Sequence, residues 1–426
     1  MLNQAYSGYL NPKYIPKADL VVAFYLEPAQ HVSFEEAAQA IASESSIGTW
    51  TDLGTLSPQL KKRLHARVFH LDKRNGIALI AYPLELFEQG NVPQLLSSVA
   101  GNVFGMKEVN NLRLLDINFP NRYLRHFKGP HFGIDGIRST FKVHKRPLLG
   151  TIIKPKLGLD EKQHANVAFK AWLGGCDLVK DDENLTSMRF NNFEKRLHET
   201  LKARDKAEKI TGEKKAYMPN ITAPFNEMMH RAKLVKQAGC EYAMVDVVSV
   251  GWSALQDLRD ADLNLILHAH RAGHAAFTRN PKHGISMLVI AKLCRLIGMD
   301  QLHIGAIAGK MEGGKADVKA IGEEIEDRIV NKGKGHILAE NWLHLKPALA
   351  VCSGGLHPGK VPVLMKALGN DIVIQMGGGI HGHPLGTKHG AMAARQAIEA
   401  TMKGIPLHYA AMKHFELALA LRKWGK

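Results

Sequence analysis

The chain has 426 residues, 45% hydrophobic and 23% charged, long enough for a small domain plus a barrel of ~250 residues and too apolar to be disordered. No run of about 18 apolar residues occurs, so no membrane span is expected, and the N-terminus MLNQAYSGYLNPKYIPKADL lacks the basic-then-apolar pattern of a signal peptide, so a cytoplasmic location is expected. The formal charge of +16 invites nucleic acid, but the basic residues alternate with acids, as in EKRLHETLKARDKAEK, the mark of a solvated helix face; an anionic small substrate in a basic cleft fits as well, and no nucleic-acid partner is expected.

The first ~120 residues alternate in element type. DLVVAFYLE (19–27) reads as a strand, and SFEEAAQAIASES opens a helix on a capping box, Ser33 with Glu36. HARVFHLD and GIALIAYPLELF read as strands joined across the turn signal KRNG. NVPQLLSSVAGNVFG starts as a helix and NLRLLDINFP is a strand again. The order β-α-β-β-α-β predicts an α+β, ferredoxin-like domain over residues 1–130. The polar, Gly- and Pro-containing RHFKGPHFGIDGIRST marks the boundary, with IDGIRSTF a possible helix leading into the next domain.

Residues 131–426 carry eight short runs that read as buried parallel strands: LLGTIIKPK, CDLVKDD, KAYMPNIT, YAMVDVVS, NLILHAHR, QLHIGAIA, ALAVCSGG and DIVIQMGGG. Stretches with helical spacing separate most of them. Eight strand–helix units predict an α/β fold closed as a (β/α)8 TIM barrel, with an open doubly wound sheet as the alternative. Cys176, Cys240, Cys294 and Cys352 lie far apart with no CxxC pair, and are expected as reduced packing residues.

Polar residues gather where these strands end. Lys154 and Lys156 end the first; Lys180, Asp182 and Glu183 the second; His268, His270 and Arg271 the fifth. His303 is on the sixth, with Lys310 beyond it; Ser353, Gly354 and Gly355 end the seventh and Gly377, Gly378 and Gly379 the eighth. In a barrel these ends share the rim where active sites lie. Glycine turns after strands seven and eight suit a phosphate, and Arg271 with His303 suits a second anionic group, so a bisphosphate is indicated. Asp182 and Glu183 are hard oxygen ligands suited to Mg2+. A charged Lys180 beside them would repel a cation. Either Lys180 pairs with the acids and no metal binds, or its amine is neutral, as burial favours, and free to add CO2.

Beyond these residues, GTIIKPKLGL and GGCDLVKDDEN closely resemble signature segments of the ribulose-1,5-bisphosphate carboxylase/oxygenase (RuBisCO) large subunit. The likeness continues through ESSIGTWT, SVAGNVFG, LHAHRAGHAAFTRNPKHG, HIGAIAGKMEG, CSGGLHPG and QMGGGIHGHPLG, over nearly the whole chain. The resemblance implies carboxylation, with competing oxygenation by O2, of ribulose 1,5-bisphosphate to 3-phosphoglycerate. It implies Lys180 carbamylated by CO2 and holding Mg2+ with Asp182 and Glu183, and the carbamate placed to remove the C3 proton. Lys154 would be the acid–base lysine, with Lys156 supporting the C2 side. His270 and Ser353 would contact sugar hydroxyls, and Lys310 would steady the incoming CO2. One phosphate would rest on Thr49, Trp50, Gly355, Gly377 and Gly378, the other on Arg271 and His303. Glu44, Thr49, Trp50 and Asn102 would come from a partner subunit, making a homodimer the minimum assembly, with higher assemblies of dimers open.

The short chain looks most like the archaeal-type (form III) group, which works without small subunits and is associated with recycling nucleotide (AMP) ribose. Departures are Leu178 where Phe is usual, Ile152 in place of a plant-type Thr two before Lys154, and Met311 after Lys310, where it bears on loop closure. The nearest rival is a RuBisCO-like enolase or isomerase, disfavoured because Glu44, Asn102, Lys154, Arg271, Lys310 and Ser353 are all present. A metal-dependent amidohydrolase shares the HxH pair His268/His270, but here it follows the lysine and strand eight ends in glycines.

Overall fold

The computed structural model describes residues 6–307, 314–333 and 336–425. Lys310 and Met311 lie outside the described residues. Two compact units divide the chain. One gathers the residues up to Lys128 with 273–297 and 327–345; the other comprises 129–272, 298–326 and Lys346 onward.

In the first unit, β1 (Leu20–Pro28), β2 (Arg67–Asp72), β3 (Ile77–Tyr82) and β4 (Val109–Asn118) pair antiparallel in the order β4-β1-β3-β2. This is the expected ferredoxin-like sheet. The Ser33–Glu36 capping box opens the helix Phe34–Glu44, as its spacing predicts. Gly76 closes the β2–β3 turn at φ +68, where a Cβ would meet the Tyr25 ring at 2.8 Å, so glycine is required there. A short strand, Gly284–Ile285, extends the sheet parallel to β4. It is followed by the helix Met287–Ile297, every residue of which is buried. Its Lys292 meets Asp116 at 3.0 Å and Glu340 at 3.3 Å.

The second unit is a (β/α)8 barrel. Its strands are Leu148–Ile152, Leu178–Lys180, Ala216–Met218, Tyr242–Asp246, Ile266–His270, Gln301–Gly305, Leu349–Ser353 and Ile372–Gln375. They are parallel, and the sheet runs from the third strand through the second, first and eighth round to the fourth. An isolated bridge between Asn220 and Met244 joins the remaining gap, with Ile221 N–H donating to the Met244 carbonyl at 2.9 Å. Helix Gly133–Phe141 sends Ile137 and Phe141 into the cluster formed by Leu148, Tyr242, Ile266 and Leu349. Those are strand-start residues, so the N-terminal end of the barrel is plugged with apolar side chains and the polar residues are left to the other end.

Behind the second strand lies a buried charge cluster. Asp181 accepts from Arg196 at 3.0 and 3.2 Å, from Tyr217 at 2.6 Å and from the Asn220 N–H at 2.9 Å. Its carboxylate lies 3.1 Å from His164. Burial alone would raise its pKa, yet Arg196, His164 and Tyr217 together hold it far below the ordinary carboxylate range. A depressed carboxylate contributes stability above its unfolded pKa of roughly 4 and loses it as pH falls toward the folded value. Asp181→Ala, which strands a buried guanidinium, is expected to destabilise the chain by roughly 3–5 kcal/mol in chemical denaturation at neutral pH. The difference from wild type should shrink as pH drops below about 4.

Candidate active site

The rim of the barrel is built around one amine. The second strand is only three residues long, and its last residue, Lys180, is fully buried. The Lys180 Nζ donates to the Asp181 carbonyl at 2.8 Å, sits 3.3 Å from the Met244 sulfur and lies 3.6 Å from Glu183 Oε2. Burial is the largest influence on it and pushes its pKa below the ordinary lysine value, against the pull of Glu183 and Asp182. Asp182 follows on the loop. It accepts from Lys154 Nζ at 2.5 Å and from the Asn184 N–H and side-chain amide at 3.1 and 2.9 Å. Burial opposes ionisation, but these donors hold Asp182 below the usual carboxylate range. Glu183 is likewise lowered against burial, by Lys180 and His270. His270 ends the fifth strand with Nδ1 2.6 Å from Asp246 and Nε2 3.6 Å from Glu183.

The structure therefore brings Lys154, Lys180, Asp182, Glu183 and His270 together. Among the described residues, no three His, Cys, Asp or Glu side chains gather as a metal site. Two carboxylates flank Lys180, and a third anionic oxygen would have to be carried by the lysine itself. That donor set fits a hard cation once the amine bears a carbamate.

Further round the rim, Arg271 is 9% exposed, and burial lowers its pKa to about 10. Gly305 leaves room for its guanidinium: a Cβ there would sit 2.9 Å from it. His303 Nδ1 lies 2.7 Å from Ser353 Oγ. The loops after strands seven and eight touch through Gly379, where a Cβ would come within 2.2 Å of the Leu356 carbonyl. This packing brings the turn of Gly354 and Gly355, both at positive φ, beside Gly377 and Gly378. Gly377 in turn lies close to Lys154, 3.3 Å from where its Cβ would be to the Lys154 Cε. Lys156 is exposed on the loop after the first strand.

The remaining predicted residues belong to the first unit. Glu44 ends the helix Phe34–Glu44, Thr49 and Trp50 follow on the next loop, and Asn102 opens the 3-10 turn Asn102–Gly105. Trp50 is 69% exposed, unusual for a large aromatic.

Several site-building residues have no sequence signal. Asp246 orients His270, and Asn184 holds Asp182. Gln301 and Tyr242 stand beneath His268. His381 lies 3.0 Å from Thr151 Oγ1, and burial lowers its pKa to about 4. Only strand parity, which turns alternate residues into the barrel, could have pointed to Asp246 and Gln301.

Comparison with known proteins defines the class. The model of the ribulose bisphosphate carboxylase large chain, catalytic domain, matches residues 133–424, and that of its N-terminal domain matches residues 8–123. The chain belongs to the RuBisCO large-chain family. Within it, the likeness is to the archaeal type. The ribulose bisphosphate carboxylase of Methanosarcina acetivorans is 54% identical over 421 residues, 98% of each chain. That of Pyrococcus abyssi is 51% identical over 425 residues, 99% of this chain and 97% of its own. Among solved structures, the dimeric archaeal Rubisco from Hyperthermus butylicus superposes with a TM-score of 0.93 at 44% identity, covering 99% of both chains. The octameric enzyme from Pyrococcus horikoshii, in complex with sulfate ion, gives 0.91 at 49%, covering 99% of this chain and 97% of that one.

Asp246 makes a specific prediction. Asp246→Ala removes the group that fixes the His270 ring, and turnover is expected to fall roughly ten- to a hundredfold, the worth of one charge-assisted hydrogen bond. Steady-state kinetics alongside a thermal melt would check that the loss exceeds any loss of fold.

Proposed function

We propose that this chain, a ribulose bisphosphate carboxylase by family, adds CO2 to ribulose 1,5-bisphosphate and yields two molecules of 3-phosphoglycerate, with O2 as a competing substrate. The observation that carries the reading is the fully buried Lys180 amine, 3.6 Å from Glu183 and within the electrostatic influence of Asp182. Mg2+, held by Asp182, Glu183 and a carbamate on Lys180, supplies Lewis-acid stabilisation where negative charge develops on the sugar.

The chain's own groups do the remaining work. Lys154, paired with Asp182, is placed to hold or return a proton beside the glycine turns. His270, fixed by Asp246, offers Nε2 toward the sugar hydroxyls. Ser353 receives a further hydroxyl, and Lys156 and Lys310 bring charge to the carboxylation side. Arg271 has no carboxylate partner among the described residues, so its charge is available to one phosphate; His303 lends bulk to that side, its two ring nitrogens being engaged by His268 and Ser353. The other phosphate rests on Gly355, Gly377 and Gly378 together with Thr49 and Trp50. We place Glu44, Thr49, Trp50 and Asn102 in a partner's site, so that a homodimer is the working unit; the exposure of Trp50 supports this. A boundary near residue 130 then separates the part that completes a neighbour's site from the barrel. No helix among the described residues is long and apolar enough to cross a membrane. A cytoplasmic reaction serving nucleotide-ribose salvage completes the proposal, on the archaeal-type likeness.

The test is incorporation of labelled bicarbonate into 3-phosphoglycerate after preincubation with CO2 and Mg2+. No incorporation, with enolisation or isomerisation of a sugar phosphate instead, would favour a RuBisCO-like enolase. Lys180→Met should keep or raise thermal stability, because it removes a costly buried amine, while abolishing activation by CO2 and Mg2+; a chelator should do the same to wild type. Lys310→Ala should still exchange the C3 hydrogen with solvent but should not carboxylate. Co-expressed Asn102→Ala and Lys154→Ala chains, each inactive alone, should regain about a quarter of wild-type activity if sites are shared across a two-fold dimer.

A further inference from the structure

A chain of buried polar side chains crosses the barrel interior and ends at the substrate rim. Tyr242, Gln301 and His268 are 0% exposed and His303 is 2% exposed. Gln301 Nε2 donates to the Tyr242 hydroxyl at 3.1 Å, and its Oε1 faces His268 Nδ1 at 2.8 Å. His268 Nε2 faces His303 Nε2 at 2.9 Å, and His303 Nδ1 faces Ser353 Oγ at 2.7 Å. The two imidazoles meet edge to face, 4.8 Å between centroids.

Each link constrains the next. An amide oxygen only accepts, so His268 carries its proton on Nδ1. Burial keeps His268 neutral, with its pKa lowered to about 3, which leaves Nε2 bare. His303 must then donate from Nε2. Burial, with the neighbouring His270 and His268, lowers its pKa well below the ordinary value too, so its Nδ1 is bare and accepts. The one hydrogen of the Ser353 hydroxyl is thereby committed inward.

We propose that Gln301 and His268 are positioning residues that fix the polarity of Ser353, so that its oxygen meets the substrate as a hydrogen-bond acceptor only. A hydroxyl of the sugar is bound there as a donor, and an analogue bearing a carbonyl at that carbon is rejected, since two acceptors would face each other. The inference rests on the reading of Ser353 as a sugar contact, but the tautomers it requires belong to the protein without substrate.

They can be read directly by long-range proton–nitrogen correlation on the full chain labelled with 15N-histidine, assigned with His268→Asn and His303→Asn. The expected result is a neutral Nδ1–H form at His268 and a neutral Nε2–H form at His303. The reverse pair, or an imidazolium at either position near neutral pH, overturns the proposal and leaves the assigned reaction untouched. Failure to fix CO2 would strike the assigned reaction and leave the tautomers as they are. Kinetics give a second arm. Gln301→Leu should lower kcat/KM roughly tenfold, the worth of one hydrogen bond. Gln301→Glu, which can only accept from His268, should keep the Nδ1–H signature and recover most of the loss. Equal loss in both variants, with the His268 tautomer the same in Leu as in wild type, would reduce Gln301 to a packing role and sink the idea.

Discussion

A primary amine held inside a barrel, away from water, is the constraint around which the rim is organised. Lys180 has a backbone carbonyl and a thioether as its nearest neighbours, poor solvation for an ammonium. Keeping it charged costs several kcal/mol of desolvation, and the balance moves toward the neutral, nucleophilic form. Two of the surrounding acids have stronger partners than Lys180, while Glu183 still leans on it. Asp182 has Lys154, Glu183 has His270 and Asp181 has Arg196. Asp181 and Asp182 therefore keep a cationic partner whatever the state of Lys180. An amine that is free to lose its charge, beside acids that keep theirs, is the local requirement for converting a lysine into an anionic ligand.

The groups behind the rim serve placement more than stability. A buried ion pair returns little more than the desolvation it costs, so the Asp181–Arg196–Tyr217 cluster is a weak reason for the barrel to fold. It does fix the loop that carries Asp182 and Glu183, because Asp181 is bonded on one side to the second strand's neighbour Tyr217 and on the other to the helix residue Arg196. Asp246 does the same for His270 from the adjacent strand. Both devices hold a reacting side chain from one residue away, where a shift of an ångström would cost the most in rate.

Much of this was legible in the sequence, for a physical reason. Strands buried on both faces read as apolar runs, and a polar residue at the end of such a run is expensive unless it has work to do. Lys154, Lys180, Asp182, His270 and Ser353 stood out on that ground. The capping box at Ser33 and the turn at Gly76 were readable because they are local chemistry. Beyond strand parity, Asp246, Gln301 and Tyr242 were not readable, because their partners lie on other strands at separations of 24 to 59 residues. Nor does linear order suggest that the helix Met287–Ile297, which follows the fifth barrel strand, is counted in the compact unit of the first ~120 residues. Its apolar spacing is that of any barrel helix; only the pairing of Lys292 with Asp116 and Glu340, acids far away in sequence, shows the company it keeps.

The interior of the barrel is graded from end to end, and the gradient links these observations. At the N-terminal end Ile137, Phe141, Leu148 and Ile266 exclude water. Running up from that cluster, Tyr242, Gln301 and His268 are polar yet wholly buried, so each must satisfy its hydrogen bonds from the others. At the rim, His303, Ser353 and Lys180 meet the space where a substrate would sit. A polar layer between a dry core and a reactive surface transmits orientation that an apolar layer could not, since a methyl group cannot dictate where a neighbouring imidazole keeps its proton. Replacing that layer with leucines would leave a well-packed barrel whose rim histidines were free to choose their tautomers. The selectivity of the site for hydroxyl over carbonyl would be lost before the fold was.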